Sequence, residues 1–291
     1  MRTIVIAEIG ECFNGDMETA KKLMEAAKHA DCDIVKFQIL DINEVAADDP
    51  EREWFEKITI TPSMLKTFIE WAREWEIEPL FTPVSVRTAS WLVEARMRTV
   101  KIASSFVSKE ELLQYIDAHF DVVYASTGMA SLGEVDAMLD MLSHVQEVRL
   151  LHCISEYPTG PLLKRRGLAA MDEQDAHLNM MKILKARYPN LMVGYSDHTD
   201  DIFVPLVATA MGAEIIEKHI TLDRKTPIEH FCNHLEYMGT DHVVSIEPYK
   251  LETMVKQIRR IEKVKGDMAW ERSDGEKILM QFLKSRYEER A

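Results

Sequence analysis

Eight short apolar runs punctuate the chain: Thr3–Ile9, Ile34–Gln38, Pro79–Val84, Thr99–Ser104, Val122–Thr127, Val148–Cys153, Met192–Asp197 and Glu214–Ile220. Stretches with apolar residues every three or four positions separate most of them. Runs that are continuously apolar, rather than alternating, predict parallel strands buried on both faces. Between them, Asp16 is placed to cap a helix with Met17, Ala20, Met24 and Ala27 on one face, and Thr61-Pro62 puts proline at a first helical position. Ser108 with Glu111 and Ser131 with Glu134 have capping-box spacing. Strand–helix alternation repeated eight times predicts an α/β fold of the TIM (β/α)₈ barrel type, where six repeats would suggest an open doubly wound sheet. After the eighth strand come a loop of some two dozen residues, a helix from about Glu247 to Lys265 and a charged helix from about Asp274. The expected organisation is one barrel domain over residues 1–291, with a helical extension from about 266.

The length of 291 residues suits one barrel, a fold of about 250 residues, and no low-complexity linker divides the chain. Cys12, Cys32, Cys153 and Cys232 are scattered without CxxC spacing, as expected of free thiols in a reducing compartment, so a cytoplasmic enzyme is expected. The apolar start Thr3–Ala7 is too short for a signal core or a membrane span and reads as a strand. A formal charge of −14, from 35 basic and 49 acidic residues, repels phosphate backbones and argues against a nucleic-acid partner.

In this fold the carboxyl ends of the strands and the loops after them form the active face. Those ends carry Glu8; Lys36 and Gln38; Thr82; Lys101 and Ser104; Ser126 and Thr127; His152; Ser196, Asp197 and His198; and Glu217, Lys218 and His219. A lysine inside an apolar strand is desolvated and needs an anionic partner. Lys36 and Lys101 therefore imply a bound, small, multiply charged anion, with Thr82, Ser104, Ser126, Thr127 and Ser196 as neutral donors around it. The alternative is that they point outward, or pair with Glu8 and Glu217 in a buried network. His198 and His219 close adjacent strands and can converge on one divalent ion, with Asp197 or Glu217 as a further ligand or as a group that orients a ligand; the alternative is ordinary hydrogen-bonded histidines. His152 suits packing beside Cys153 equally well. Glu8 is a candidate general acid or base, or a plain partner of Lys36. Gly10 to Gly15 lacks the GK[ST] ending of a phosphate loop and reads as turns, and Trp54, Trp71, Trp75 and Trp91 read as packing.

Taken in order, Ala7-Glu8-Ile9-Gly10, Val35-Lys36-Phe37-Gln38, Thr82-Pro83, Lys101-Ile102-Ala103-Ser104, Ser126-Thr127-Gly128-Met129, Leu151-His152-Cys153, Tyr157-Pro158-Thr159, Gly194-Tyr195-Ser196-Asp197-His198-Thr199 and Glu217-Lys218-His219 resemble the sialic acid synthase family. That family comprises N-acetylneuraminate synthase and its relatives for legionaminic and pseudaminic acids, and the resemblance spans about residues 3 to 262. It implies a transferase that condenses phosphoenolpyruvate with the open-chain aldehyde of an N-acyl hexosamine, giving a nine-carbon 2-keto acid and phosphate. By the resemblance Lys36, Gln38, Thr82, Lys101, Ser104, Ser126, Tyr157 and Ser196 hold phosphoenolpyruvate, and His198 and His219 hold Mn²⁺ or Mg²⁺. Glu8 handles the attacking water, Glu8, Lys36 and Lys101 form the catalytic set, and Asp197 and Glu229 are the expected sugar contacts.

The chain departs from the family pattern on the sugar side. Cys12-Phe13 replaces Asn-His in the first motif, Ser105-Phe106 replaces Gly and an acidic residue, and Ser155 replaces an asparagine. Thr226-Pro227-Ile228-Glu229-His230 is read in place of Pro-Gly-Pro-Asp-His, and Lys164-Arg165-Arg166 adds positive charge. Most bacterial members also carry a C-terminal antifreeze-like domain that reaches the partner's sugar site in a swapped dimer; the sequence is expected to represent the barrel part, in a homodimer. A different acceptor is therefore expected. The competing expectations are a related enzyme using a phosphorylated acceptor, suggested by the basic trio, and a non-catalytic anion-binding barrel.

Overall fold

The computed structural model describes residues 2–49, 51–158, 162, 165, 167, 169–224, 230–232, 235–237, 240–266 and 269–288. Eight parallel strands form one sheet: β1 (Ile4–Glu8), β2 (Ile34–Ile39), β3 (Glu78–Pro83), β4 (Thr99–Ile102), β5 (Val122–Ser126), β6 (Glu147–Cys153), β7 (Met192–Asp197) and β8 (Ile215–His219). Their order is β3-β2-β1-β8-β7-β6-β5-β4, and β3 and β4 lie side by side without a ladder, so the sheet is a nearly closed (β/α)₈ barrel as expected. All eight expected strands are present, with ends shifted by no more than two residues.

Alternation along each strand divides the core in two. Ile6, Ile34, Leu80, Tyr124, Leu151 and Ile215 point inward and fill the barrel axis as one small cluster. The opposite faces, with Val5, Val35, Phe81, Val100, Val123, Leu150, Val193 and Ile216, pack in the larger cluster with the surrounding helices. Gly194 is part of the axis packing: a Cβ there would lie 2.4 Å from the Ile215 carbonyl oxygen and 2.5 Å from its Cβ.

The outer helices are α1 (Met17–His29), α2 (Arg52–Ile58), α3 (Pro62–Glu74), α4 (Val86–Glu94), α5 (Glu110–His119), α6 (Leu132–Met141), α7 (Asn179–Arg187), α8 (Phe203–Ala210) and α9 (Pro248–Lys265), followed by α10 (Asp274–Glu288). Asp16 accepts from the Thr19 amide, Thr61 caps α3 ahead of Pro62, and Ser131 and Glu134 close a capping box on α6. The box expected at Ser108 and Glu111 does not form. A 3₁₀ turn at Ser104–Phe106 and the buried Val107 carry the chain further before it coils, and α5 starts at Glu110 without a side-chain cap.

The stretch after β8, expected to be a plain loop, contains an antiparallel pair, β9 (His230–Cys232) and β10 (Leu235–Tyr237), and a helical turn at Thr240–Val243. It returns to the barrel through a parallel bridge, with the Ile246 amide donating to the His219 carbonyl (2.9 Å) and the Thr221 amide to the Ile246 carbonyl (3.0 Å). That return lays residue 241 over the end of β8. Among the described residues no helix is long and apolar enough to cross a membrane.

Gly194→Ala forces a methyl into occupied space, so we expect a loss of about 1–3 kcal/mol. A lower urea midpoint at unchanged slope is the readout, and an unchanged midpoint would show that Ile215 gives way freely.

Candidate active site

A cavity of about 410 Å³ opens where the carboxyl ends of the strands meet. Its walls include Glu8, Lys36, Gln38, Thr82, Lys101, Ser104, Ser126, Tyr157, Ser196, His198, Glu217 and His219. Glu8, Lys36, Thr82, Lys101, Ser126, Ser196 and Glu217 lie at inward-facing strand positions just above the apolar axis, Gln38, His198 and His219 stand one step higher, and Ser104 and Tyr157 come from loops. The single structure therefore gathers most of the expected site residues.

At the floor, two lysines and two carboxylates are withdrawn from water. Lys36 Nζ lies 2.9 Å from Glu8 Oε2 and 3.7 Å from Glu217 Oε2, and Lys101 Nζ lies 3.5 Å from that same Glu217 oxygen. Lys36 also donates to Thr82 Oγ1 (3.3 Å), Lys101 to Ser126 Oγ (2.6 Å) and Ser196 to Glu217 Oε1 (2.7 Å). The lysines pair with Glu8 and Glu217, as one of the two sequence readings expected, and they also line the cavity. Burial, opposed by Lys36 and reinforced by Glu217, raises Glu8 to about 7. Burial acts the same way on Glu217, but Lys101 and Lys36 outweigh it and hold that carboxyl at about 2. Burial lowers Lys101, whereas in Lys36 the attraction of Glu217 and Glu8 overcomes burial and raises it.

Above this floor sit the two imidazoles, ring centroids 5.1 Å apart. Their Nε2 atoms face one point, where the Tyr157 hydroxyl stands 2.6 Å from that of His198 and 3.4 Å from that of His219. Burial, with the charges of His198 and Lys36, holds His219 well below its usual value and leaves its ring neutral, the form that binds metals. His198 is raised although burial alone lowers it, because Cys153 Sγ lies 3.7 Å from its Nδ1.

Asp241 was missed by sequence reasoning. It is buried, its Oδ2 accepts from the Glu11 amide (2.8 Å), and its Oδ1 lies 3.5 Å from His219 Nε2. Glu8, His219 and Asp241 each offer a ligand atom within 4.8 Å of the others. This donor set of imidazole and carboxylate, with His198 alongside, suits a divalent ion of the Mn²⁺ or Mg²⁺ type. The signal was available, because Gly239-Thr240-Asp241-His242 keeps the Gly-x-Asp-His order of the family stretch some dozen residues later than expected. Gly10, at φ +48°, permits the approach: a Cβ there would lie 1.9 Å from Asp241 Oδ2.

Several expected residues lie elsewhere. Asp197 and Lys218 face outward, because they follow and precede inward residues on their strands; fully buried, they pair at 2.6 Å, and Asp197 also accepts from Thr199 Oγ1 (2.8 Å). Asp197 is thus corrected from a sugar contact or metal ligand to a support between β7 and β8. Thr127 turns onto the Leu151 carbonyl, and His152 faces outward onto the Ala176 carbonyl at 2.8 Å. Cys12 contacts Ser245 Oγ at 3.3 Å and Phe13 packs edge-on against Phe37 and Phe68, so neither faces the cavity, whereas Ser105 and Ser155 line it. Glu229, Thr226 to Ile228, Lys164 and Arg166 lie outside the described residues.

The sequence profile of the NeuB family matches residues 23–269. The N,N'-diacetyllegionaminic acid synthase of Campylobacter jejuni is 33% identical over 285 residues, covering 91% of this chain and 78% of that protein. The N-acetylneuraminate-9-phosphate synthase of Drosophila melanogaster is 28% identical over 270 residues, covering 87% of this chain and 66% of that protein. The crystal structure of the N-acetylneuraminic acid (sialic acid) synthetase of Leptospira borgpetersenii in complex with citrate superposes with a TM-score of 0.84 at 29% identity, covering 98% of this chain and 92% of that one.

Two stability predictions follow from the geometry. Asp197→Ala strands the buried Lys218 ammonium and should cost about 3–5 kcal/mol in urea unfolding, whereas a solvent-facing sugar contact would leave stability unchanged. Glu8 in the fold stays protonated to about pH 7 while an unfolded glutamate ionises near 4.5, so its contribution falls as pH rises from 4.5 to 7. Glu217, ionised in the fold down to about 2, adds stability that is complete above 4.5 and lost on acidification toward 2. Glu8→Gln should therefore gain on the parent by up to about 3 kcal/mol between pH 5 and pH 8, measured without metal. An equal decline in both proteins would assign the pH dependence to another group.

Proposed function

The chain belongs to the NeuB family, whose members are synthases that condense phosphoenolpyruvate with sugars, and we propose that its own reaction joins phosphoenolpyruvate to the aldehyde of an N-acyl hexosamine of the mannosamine type. The products are a nine-carbon 2-keto sugar acid and inorganic phosphate. One observation carries the reading: two buried lysines, ringed by hydroxyls, share a cavity floor beneath a pair of imidazoles.

Phosphoenolpyruvate carries a carboxylate and a phosphate, and among the described residues lining the cavity Lys36 and Lys101 are the lysine or arginine cations that can meet them. Lys36 is held by Glu8 at 2.9 Å, but the spacing of both lysines to Glu217 Oε2, 3.5–3.7 Å, is longer than a charge-assisted hydrogen bond, so an incoming anion oxygen can take the donors on that side. Thr82, Ser104, Ser126 and Ser196 add neutral donors, Gln38 sits 3.4 Å from Glu8 Oε1, and Tyr157 closes the upper side. In a buried site these fixed dipoles stabilise phosphate charge as it develops.

His198 and His219 would hold Mn²⁺ or Mg²⁺, with Glu8 or Asp241 completing the set, and the ion supplies polarisation of the sugar carbonyl. Carbon 3 of phosphoenolpyruvate forms the new bond to that carbonyl carbon with its C2–C3 π pair, the carbonyl π bond breaks onto the sugar oxygen, and positive charge is left at C2. Glu8, poised at about 7, accepts a proton from the water that adds to C2, a proton passes to the sugar oxygen to make it a hydroxyl, and the C2–O bond to phosphate breaks as the C2 hydroxyl gives its proton to the departing phosphate and becomes the ketone, with the lysines as counter-ions.

Incubation with phosphoenolpyruvate, Mn²⁺ and a panel of N-acyl hexosamines, free and phosphorylated, should release phosphate only when an acceptor is present. No release with any acceptor would refute the activity. Lys36→Met should weaken phosphoenolpyruvate binding in calorimetry by about 100-fold or more, the loss of one buried charge-assisted contact, and an unchanged affinity would refute its role in the cradle.

A further inference from the structure

Behind the His198 ring, on the side away from His219 and Tyr157, stands a sulfur. Leu151 belongs to the barrel axis, so Cys153, two residues further along β6, also faces inward. Parallel register sets it opposite Ser196, two residues before His198. Cys153 is a free thiol, buried, and part of the cavity wall. Its Sγ lies 3.7 Å from Nδ1 of His198 and 3.2 Å from Ser155 Oγ. Gly128 leaves room for these groups to close together: a Cβ there would lie 2.4 Å from Ser155 Oγ and 2.6 Å from Ser104 Oγ.

A neutral imidazole offers a lone pair at one nitrogen and carries its hydrogen on the other. Nε2 of His198 faces the point it shares with His219 Nε2, so for Nε2 to hold an ion the hydrogen must sit on Nδ1, and that hydrogen needs an acceptor behind the ring. Metal-bound histidines ordinarily find a carboxylate, a backbone carbonyl or a water in that place. Here the group within reach is Cys153 Sγ. Sulfur is a weak acceptor, but the thiol can send its own hydrogen to Ser155 Oγ and keep its lone pairs for Nδ1–H. We propose that Cys153 is a positioning residue: its sulfur accepts from His198 Nδ1 and so fixes the tautomer and the turn of the ring that aim Nε2 at the divalent ion. The inference rests on the reading of His198 and His219 as metal ligands, and it adds to that reading the group that makes His198 fit for the role.

Three substitutions in the full chain separate hydrogen bonding from packing, with the Kd for Mn²⁺ read from the paramagnetic resonance signal of the free ion at one pH and without phosphoenolpyruvate. Cys153→Ala should raise that Kd about tenfold, the low end of what losing the partner behind a metal-bound imidazole costs, because sulfur is a weak acceptor. Cys153→Val fills the space but accepts nothing, and should raise it as much. Cys153→Ser keeps an acceptor on the same carbon and should recover most of the loss. Urea midpoints of the three proteins monitor folding alongside. Mn²⁺ binding by the parent that is matched by both Ala and Val variants overturns the role of Cys153 and leaves the metal site standing. A Val variant that binds like the parent beside a Ser variant that binds like Ala makes Cys153 a packing group and overturns it too. A parent chain that binds no Mn²⁺ overturns the metal reading itself and this inference with it.

Discussion

The ammonium–carboxylate layer at the top of the barrel axis is the constraint on which the site depends. Lys36, Lys101, Glu8 and Glu217 are each at most 3% exposed, and none could remain charged there alone. Because they alternate in sign, the layer holds its charge, yet it does so unevenly. Glu8 is tight against Lys36 and Gln38 but still pushed up toward neutrality by burial, while Glu217, between two lysines and bonded to Ser196, stays ionised far into acid. One pair of carboxylates thereby has two environments, which is how a single mouth offers both a proton acceptor and a fixed counter-ion.

Below that layer the axis is ordinary hydrophobic packing, and above it stand the groups that face the solvent side. The floor is set by strand register: Glu8 lies opposite Lys36 on β2 and His219 on β8, and Ser196 opposite Glu217. The upper side is set by loops, chiefly the return after β8 that brings Asp241 against Gly10 and Glu11. Anchoring by the Ile220–Ile246 bridge ties this loop to the strand that carries His219, and so holds the carboxylate beside the imidazole.

Most residues that sequence reading brought to the cavity sit on a strand or directly after one. Lys36 and Lys101 were legible because charge inside an apolar run is anomalous, and a parallel strand has no solvent face on which to put it. Thr82, Ser126, Ser196, His198 and His219 followed from the rule that barrel strands end at the active face. Asp197 failed by the same logic applied without its parity: it sits beside Ser196 in sequence, but neighbouring residues on a strand face opposite ways, and its carboxylate belongs to Lys218. Asp241 was missed because the distance along a loop carries no fixed geometry, and the paired strands His230–Cys232 and Leu235–Tyr237 stand between β8 and the Asp-His signature.

By itself, then, the sequence determined the barrel, its eight strands and the residue types at their ends, since periodicity and helix caps are local properties that each segment carries alone. Tertiary structure alone decided which of those side chains meet. The pairing of Glu217 with two lysines from other strands, the convergence of both imidazoles on Tyr157, and the descent of Asp241 onto β8 are contacts across the barrel. They depend on strand register and loop closure, which no single segment specifies.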